Sequence, residues 1–381
     1  MAEKTFVGII GVFAFLLLIG TASGAGSQAE VPTWNVGDSW SMGAEDIDLT
    51  PILTALMENL AQSMPGTNYD ASGHMSCYIV HEVVGEDEQC YIMEVNEGVG
   101  INTALSFSSG YGGQSGSGSA EIFMSITING TTYHAKNNLA VTQMEGTIDM
   151  KMDISFSGSG FNTTELGSLS GSASLDLSGD FQVTYDPPLD MFDFPITVGE
   201  SWLINSTATV TGNVSGTINI PGFGTQSINE PLDTTVSISL TATCLETQNF
   251  TLPDGSVTTA YKIVLSGTGM EDTIPFMPAS VIYYSPDSGY IVAEELSLGD
   301  VMSTMTTGNQ DELSMFSLGA AEVGEDQALF TMNPMTKDEA MSGIAGLGSR
   351  GTDWLTLGII VAVILVVIAV AGILVFLVRR R

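Results

Sequence analysis

The chain has 381 residues, and its 43 acidic side chains far outnumber its nine basic ones, which gives a formal net charge of −34 at pH 7. A surface this acidic repels phosphate backbones, which excludes nucleic acid as a partner. The charge favours a protein kept soluble in a salty medium. Divalent-cation binding is the alternative, although no stretch has the D-x-[DN]-x-[DN]-G spacing of a calcium loop.

Residues 1–25 predict a secretory signal peptide. Lys4 lies at the charged start, residues 6–19 are almost wholly apolar, and small residues fill positions 20–26. This order is typical of an export signal, and we expect cleavage near residues 22–25. An uncleaved N-terminal anchor is the alternative.

Residues 31–185 form the first predicted β-rich unit, which begins with "WNVGDSW", ending at Trp40. The next segment predicts one amphipathic helix, with Thr50 as its N-cap, Pro51 at its first helical position and Pro65-Gly66 as its stop. We expect its apolar stripe to pack on the apolar face of the first sheet. The stripe consists of Ile52, Leu53, Leu56, Met57, Leu60 and Met64.

Three cysteines, Cys77, Cys90 and Cys244, are expected in an oxidising compartment, where at most one disulfide can form. Cys77 and Cys90 flank "GEDE", which predicts a hairpin turn. With the turn centred there, Cys90 lies opposite about Val83. That position is roughly six residues, or about 20 Å, from Cys77 along the strand, which is too far for a disulfide without a bulge or a bend. The pairing therefore stays open.

Alternation of apolar and polar residues is the strongest internal signal, and it predicts strands with one buried face. Sheets with one apolar and one wet face are typically antiparallel. We therefore predict a mainly β fold of two tandem, bent antiparallel sheets, half-barrel or sandwich-like, with one amphipathic helix and a C-terminal transmembrane helix. The clearest apolar series are Ile148, Met150, Met152, Ile154 and Phe156; Leu175, Leu177, Phe181, Val183 and Tyr185; Ala208, Val210, Val214, Ile218 and Ile220; and Val236, Ile238 and Leu240.

Glycines punctuate these series. Gly179, Gly212 and Gly216 fall among the apolar positions, where they predict bulges or sharp curvature. The stretch "SSGYGGQSGSGS", residues 108–119, has little to bury and predicts a linker loop.

A second β-rich unit, residues 186–318, is predicted from a repeated motif. "VGESW", ending at Trp202, matches "VGDSW", ending at Trp40. A cysteine-led strand and a tyrosine-led strand follow each copy, so we match Cys77 with Cys244 and Tyr91 with Tyr261. We interpret the chain as a tandem repeat. The motif marks a structural corner in which Gly37 and Gly199 permit the turn and Trp40 and Trp202 bury their rings.

The second unit carries a family resemblance. "DFPITVGESW", "TLPDGSVTTAYKIVL" and "YYSPDSGYIVAEEL" follow one another between residues 193 and 298. This order resembles that of exported prokaryotic (archaeal) half-barrel domains related to lipoprotein carriers. The resemblance is weaker over residues 31–110, where the last motif is reduced to "SSGYG". It implies a bent antiparallel sheet around one or two helices, and in some members a lipid in the concavity.

The C-terminal part predicts a membrane anchor. Residues 319–353 predict a stalk, in which residues 319–341 hold a short helix or two. Residues 354–378 predict a transmembrane helix, because 24 residues from Leu355 onward lack charge. Residues 379–381, all arginine, form a cytoplasmic tail by the positive-inside rule. The predicted location is the cell membrane, in a single pass with the N-terminus outside. A tail that is cut and replaced by a lipid is the alternative.

The sequence predicts no catalytic, cofactor or metal site. It lacks a nucleophile elbow, a phosphate loop and a dinucleotide fingerprint. Its three histidines, His74, His81 and His134, are not spaced for a metal site on one element. We expect His81 to face solvent. We therefore expect a protein that is not an enzyme.

Five N-x-[ST] sequons, at Asn129, Asn162, Asn205, Asn213 and Asn249, are candidates for glycosylation. Asn205 and Asn213 share the polar face of their strand, and Asn129 and Asn162 are expected in turns. The sequence thus predicts a membrane-anchored surface protein with a binding or structural role in the cell envelope. Its expected partners are the lipid bilayer and either glycans or other envelope proteins. The alternative is a tethered carrier with an apolar ligand, a lipid, in a concave half-barrel face.

Overall fold

The computed structural model describes residues 28–51, 53–54, 57, 67–111, 114–159, 169–220, 224–267, 280–297 and 329–349. The predicted signal peptide (1–25), membrane span (354–378) and tail (379–381) lie outside these residues, as does Asn162. Among the described residues, no helix is both long enough and apolar enough to cross a bilayer.

The described chain is mainly β, which confirms that part of the predicted fold class. Its strands are β1 (Gln28–Ala29), β2 (Ser39–Asp48), β3 (Thr67–Glu86), β4 (Cys90–Tyr111), β5 (Gln114–Ala135), β6 (Val141–Ser159), β7 (Leu169–Leu189), β8 (Ile196–Thr197), β9 (Ser201–Ile220), β10 (Gly224–Thr251), β11 (Val257–Gly267), β12 (Ser280–Ser285), β13 (Tyr290–Ser297) and β14 (Leu329–Pro334). A helix, α1, spans Lys337–Ser349.

Twelve of the described strands form one closed antiparallel barrel, so the two predicted units do not make separate sheets. Around the barrel the order is β2 to β7, then β9 to β14, and β14 pairs with β2. Six strands come from each half of the chain. A six-stranded sheet on its own would expose two edges of unpaired backbone groups, and pairing β7 with β9 and β14 with β2 removes both. Strands β1 and β8 form a small separate sheet.

The predicted alternation is confirmed, and the apolar series line the barrel interior. On β6, Ile148, Met150 and Met152 are buried while Asp149 and Lys151 are exposed. Most of the buried apolar side chains inside the barrel belong to one continuous cluster. The outer wall is rich in Ser, Thr, Asn and Asp.

The interior glycines of β7 and β9 mark a close approach of two strands rather than a bulge. Register is continuous through Gly179, Gly212 and Gly216 in this pair. A Cβ added at Gly179 would lie 2.5 Å from the carbonyl oxygen of Asn213, and one at Gly216 would meet the carbonyl oxygen of Asp176. The predicted bulges are therefore wrong here, and the glycines allow the backbones to pack together.

The predicted Gly/Ser linker is also wrong, because residues 108–111 and 114–119 belong to the paired strands β4 and β5. Ladder hydrogen bonds use only backbone groups, so small side chains do not prevent them. The ring of Phe107 covers Gly118 on the neighbouring strand, 2.6 Å from where a Cβ would be. An aromatic ring over a strand glycine fills the missing side-chain volume.

The predicted first helix lies inside the barrel as far as it is described. Thr50, Pro51, Leu53, Thr54 and Met57 are helical, and Leu53 and Met57 are buried in the main core. The side chain of Leu53 packs over Gly73 of β3. The helix therefore contacts the apolar face of the first sheet, as predicted.

Part of the predicted stalk is integral to the barrel. Strand β14 pairs with β13 and β2, and α1 packs on the outer wall of β2 to β5. Thr336 caps α1, since its side chain and that of Glu339 bond each other's backbone N–H. The prediction of a stalk is wrong for α1. The apolar side of this helix is short, and the strands that it contacts, β3 and β4, lie far away in the chain.

Candidate functional site at the corner end of the barrel

The two tryptophan motifs lie at one end of the barrel, called here the corner end, and form the same backbone structure. Gly37 donates its N–H to the carbonyl of Val83 at 2.8 Å, and Val83 donates back to Asp38 at 2.9 Å. The second copy has the same two bonds, at 2.8 and 2.9 Å, between Gly199, Cys244 and Glu200. The φ angles of Gly37 and Gly199 are +99° and +89°, a region that favours glycine.

An acidic side chain closes each corner, a role that the sequence interpretation missed. The Asp38 carboxylate accepts the N–H of Asn35 at 2.7 Å, and Glu200 accepts that of Thr197 at 3.2 Å. The acid of VG[DE]SW therefore fixes the turn that precedes the tryptophan strand. The available signal was that the acid follows the donor by three residues in both copies.

The corner hydrogen bonds show that one predicted equivalence between the two copies, that of Cys77 with Cys244, is wrong. Cys244 occupies the place of Val83, not that of Cys77, because each bonds the corner glycine. Bulges at Val83/Gly85 and Cys244/Glu246 follow at the same point. Beyond these bulges Tyr91 and Tyr261 lie at equivalent positions, in agreement with the predicted match.

The last motif of the resemblance also has its counterpart elsewhere than predicted. Residues 283–294 form a bulged hairpin, with the bulge between Tyr283 and Tyr284. Residues 133–144 form the same hairpin, with the bulge between Tyr133 and His134. Leu139 and Gly289 have matching φ angles of +63° and +67°. The first-half equivalent is therefore residues 133–144 and not "SSGYG".

An aromatic cluster fills the corner end between the two halves. Trp40 stacks on Tyr290 with a centroid distance of 4.5 Å, and Trp34 packs against Tyr91 at 5.1 Å. The indole N–H of Trp40 donates to the carbonyl of Ser288 at 2.7 Å. That of Trp34 donates to Gly289 at 3.1 Å. Two tryptophans of the first half thus hold the 286–289 turn of the second.

A cleft of about 370 Å³ opens beside this turn, and we call it the corner cleft. Asp38 and Asp287 supply its carboxylates, and half-buried Trp40 supplies an aromatic edge. The buried hydroxyl of Ser288 has no hydrogen-bond partner in the described part of the chain. The lining is Pro32, Thr33, Trp34, Asp38, Ser39, Trp40, Asp287, Ser288 and Gly289. Its polar groups suit a small polar ligand rather than an apolar one.

Two histidines lie inside the corner end, and the prediction that His81 faces solvent is wrong. His81 is opposite Trp40 in the ladder, so it shares the buried face. Burial lowers the pKa of His81 to about 3 and that of His134 to about 4. The His134 ring donates from Nδ1 to the Leu139 carbonyl at 3.2 Å and accepts at Nε2 from Thr132 at 2.9 Å. Both rings are neutral at pH 7.

Two carboxyl groups are buried in the barrel interior. Glu97 and Glu294 are 2% and 1% exposed. Oε1 of Glu97 and both oxygens of Glu294 have no hydrogen-bond partner among the described residues. Burial, with a smaller contribution from Glu294, raises the pKa of Glu97 well above its usual value. Burial raises that of Glu294 to about 8.

The three cysteines are free thiols in the structure. Cys90 lies beside the hairpin turn, where its carbonyl accepts from Asp87, and the residue opposite Val83 is Met93. Cys90 was predicted to lie opposite Val83, but it lies nearer the turn. Cys90 is therefore even farther from Cys77 than predicted. Burial raises the pKa of Cys77 to about 12 and that of Cys244 to about 11, so both stay protonated.

The four described sequon asparagines, Asn129, Asn205, Asn213 and Asn249, are exposed on the outer wall. Asn129 lies within β5, opposite Asn96, rather than in the predicted turn. Among the described residues, no group of three or more His, Cys, Asp or Glu side chains is placed to hold a metal ion. A second cleft, of about 320 Å³, lies at the opposite end and is lined by Ser and Gly of β5, β6 and β7.

No protein-family model matches the chain, and no curated protein sequence or solved structure matches it either. The resemblance to half-barrel carrier domains stays a prediction from the quoted motifs.

Proposed function

We propose that this protein is a single-pass, membrane-anchored cell-surface protein with a non-enzymatic binding or structural role in the cell envelope. The observation that carries the proposal is a filled barrel core beneath a polar outer wall. Its N-terminal part lies outside the cell, its C-terminal arginines lie in the cytoplasm, and the span 354–378 holds it in the bilayer. The corner cleft is its binding site for small polar groups.

The filled core favours this role over that of a lipid carrier. Interior side chains from both halves, such as Val95, Val183 and Ile263, are 0% exposed. A lumen wide enough for a lipid chain would leave the tips of these side chains accessible to solvent. The interior therefore supports a rigid scaffold whose function lies on its outside.

The position of the ionisable groups supports a non-enzymatic role. The described lining of the corner cleft includes two carboxylates and three hydroxyls but no histidine, lysine or cysteine that would act as a base or a nucleophile. His81 and His134 lie in the core. Exposed His74 pairs with Asp46 at 2.8 Å, away from that lining.

The outer wall supports a surface location. Four described sequon asparagines present their side chains to solvent, as attachment of a glycan requires. The acidic and hydroxyl-rich wall keeps such a domain soluble beside its neighbours.

Membrane fractionation of the full chain tests the anchor. The protein should stay in the pellet after alkaline carbonate extraction, whereas a variant ending at Ser349 should be released into the supernatant. Intact mass of the pelleted form separates a helix anchor from a lipid that replaces the tail. Recovery of the full chain in the supernatant would contradict the proposal.

Solvent extraction of the purified full chain, followed by mass spectrometry, tests the filled core. We expect no lipid in a fixed ratio to protein after detergent exchange. A stoichiometric lipid that survives exchange would favour the carrier instead.

A further inference from the structure

Helix α1 is held firmly on the outer wall of the barrel. Lys337 forms an ion pair with Glu82 of β3 at 2.6 Å. Ala340 and Ile344 pack with Tyr78 and Val80 in a separate apolar cluster. Gly98 and Gly100 of β4 leave room for Ile344 and Leu347, and a Cβ at Gly98 would lie 2.9 Å from the Leu347 side chain. The seat is therefore specific for this helix.

The contacts along α1 fix where the chain leaves the barrel. Its first turn meets Glu82, near the corner end, whereas Leu347 meets Gly98 and Gly100. Gly100 lies ten residues from Cys90 and eleven from Tyr111, the two ends of β4. At about 3.3 Å per residue and a strand tilt of about 40°, each barrel end is roughly 25 Å away along the axis. The chain thus leaves near mid-height.

The distance to the predicted span is shorter than the distance to either barrel end. Six residue steps separate Ser349 from Leu355. A segment of this length reaches at most about 20 Å at full extension. An upright barrel, standing on either end, would need roughly 25 Å. The wall that carries α1 must therefore come closest to the bilayer.

We infer that the protein lies on its side at the membrane, with the α1-bearing wall of β2 to β5 facing the lipid bilayer. This inference rests on the proposed membrane anchor. The opposite wall, formed by β9 to β11, then faces away from the cell surface. It carries three of the four described sequon asparagines, Asn205, Asn213 and Asn249, where attached glycans would not meet the bilayer. The fourth, Asn129, lies on β5 at the edge of the bilayer-facing wall, so we expect it to carry no glycan.

Energy transfer to the bilayer tests this orientation in the full chain. Asn102 of β4 and Ser237 of β10 are exposed and occupy the two opposite walls. Each is replaced by cysteine in a Cys90→Ser background and labelled, since Cys77 and Cys244 are buried. The protein is reconstituted in phosphatidylcholine vesicles with a headgroup acceptor dye. Transfer from position 102 should exceed that from position 237 at least twofold.

Equal transfer from the two positions, or greater transfer from position 237, overturns the inference. Loss of the protein from the vesicles contradicts the membrane anchor instead, so the two failures are distinguishable.

Releasing α1 provides the matched control. Gly98→Leu clashes with Leu347 and Ile344, and Leu347→Asp removes the apolar contact without adding bulk in the wall. Either change lengthens the tether by the residues of α1, so the difference between positions 102 and 237 should shrink toward zero. Circular dichroism shows whether the barrel is intact, and Leu347→Asp serves if Gly98→Leu does not fold. An unchanged difference in a folded variant overturns the role of α1.

Discussion

The two tryptophan corners have the same backbone hydrogen bonds but different side-chain anchors. Trp202 donates its indole N–H to Met191, eleven residues earlier in its own half. Trp40 donates to Ser288, 248 residues away in the other half. The second corner therefore stabilises its own half, whereas the first corner joins the two. The same local structure therefore also links the two halves of the barrel in the first copy.

The same contrast holds at the bulged hairpins. Met144 and Glu294 occupy equivalent interior positions, and both are buried. One is a flexible apolar residue, and the other a carboxylic acid without a hydrogen-bond partner in the described structure. Backbone geometry is thus shared more closely between the halves than side-chain chemistry is.

Removal of the second corner ring should have the largest effect. Trp202 is 8% exposed, so Trp202→Ala should lower the free energy of unfolding by about 3–5 kcal/mol. Urea denaturation measures the loss. Leu203→Ala, at a neighbouring side chain that is 61% exposed, is the control and should change stability by less than about 0.5 kcal/mol. A loss below about 1 kcal/mol for Trp202→Ala would count against a buried corner.

Replacing Glu294 with methionine, the residue at the equivalent position in the first half, should stabilise the protein at neutral pH. The pKa of Glu294 is raised to about 8 in the folded state from 4.5. The folded state therefore binds its proton more tightly, and ionisation destabilises the fold increasingly as pH rises from about 4.5 to about 8. Glu294→Met removes this effect, a gain on the order of 3 kcal/mol at pH 7.

The measurement is the difference in unfolding free energy between Glu294→Met and the unchanged chain from pH 5 to pH 8. The difference should grow with pH across this window. Met144→Glu is the matched reciprocal variant and should lose stability over the same range. Parallel curves for Glu294→Met and the unchanged chain would mean that Glu294 is not desolvated in the fold.

Truncation of the first corner ring should have a smaller effect than truncation of the second. Trp40 is only half-buried, and Trp40→Ala loses part of its apolar contact and one hydrogen bond, a cost of about 2 kcal/mol. Because the lost contacts join the halves, hydrogen exchange of the 286–289 turn should accelerate. In Trp202→Ala, the backbone amides of that turn should exchange only when the whole protein unfolds. Equal acceleration in both variants would remove the distinction between the corners.

The smallest effect is expected at the 286–289 turn. Gly289 has a φ of +67° and no atom within 3.8 Å of an added Cβ, so Gly289→Ala should cost about 1 kcal/mol from backbone strain alone. Leu139 tolerates the equivalent conformation in the first half. Ser288→Ala is the control and should be close to neutral. A cost above about 3 kcal/mol would show that packing, and not φ, selects glycine there.

The local periodicity of the sequence predicted most of the strands and their buried faces. Met150 and Asp149 take opposite faces because adjacent side chains in a strand must do so. The repeated corners were also readable, since glycine, an acid and tryptophan stand at fixed short spacing. The residues that bond the corner glycines were not, because Val83 and Cys244 lie on the following strand, far along the chain, and are brought to the corner by tertiary pairing. Cys77 was therefore matched with Cys244, although Val83 occupies the equivalent place.

The sequence by itself determined an antiparallel β protein with tryptophan corners, because alternation and turn chemistry act over a few residues. Only the tertiary structure decided that the two halves share one closed barrel, since the pairs β7–β9 and β14–β2 depend on the edges that each half leaves open. It likewise decided the burial of His81 and the seat of α1. Those positions depend on which distant strand lies opposite, and no local pattern encodes that.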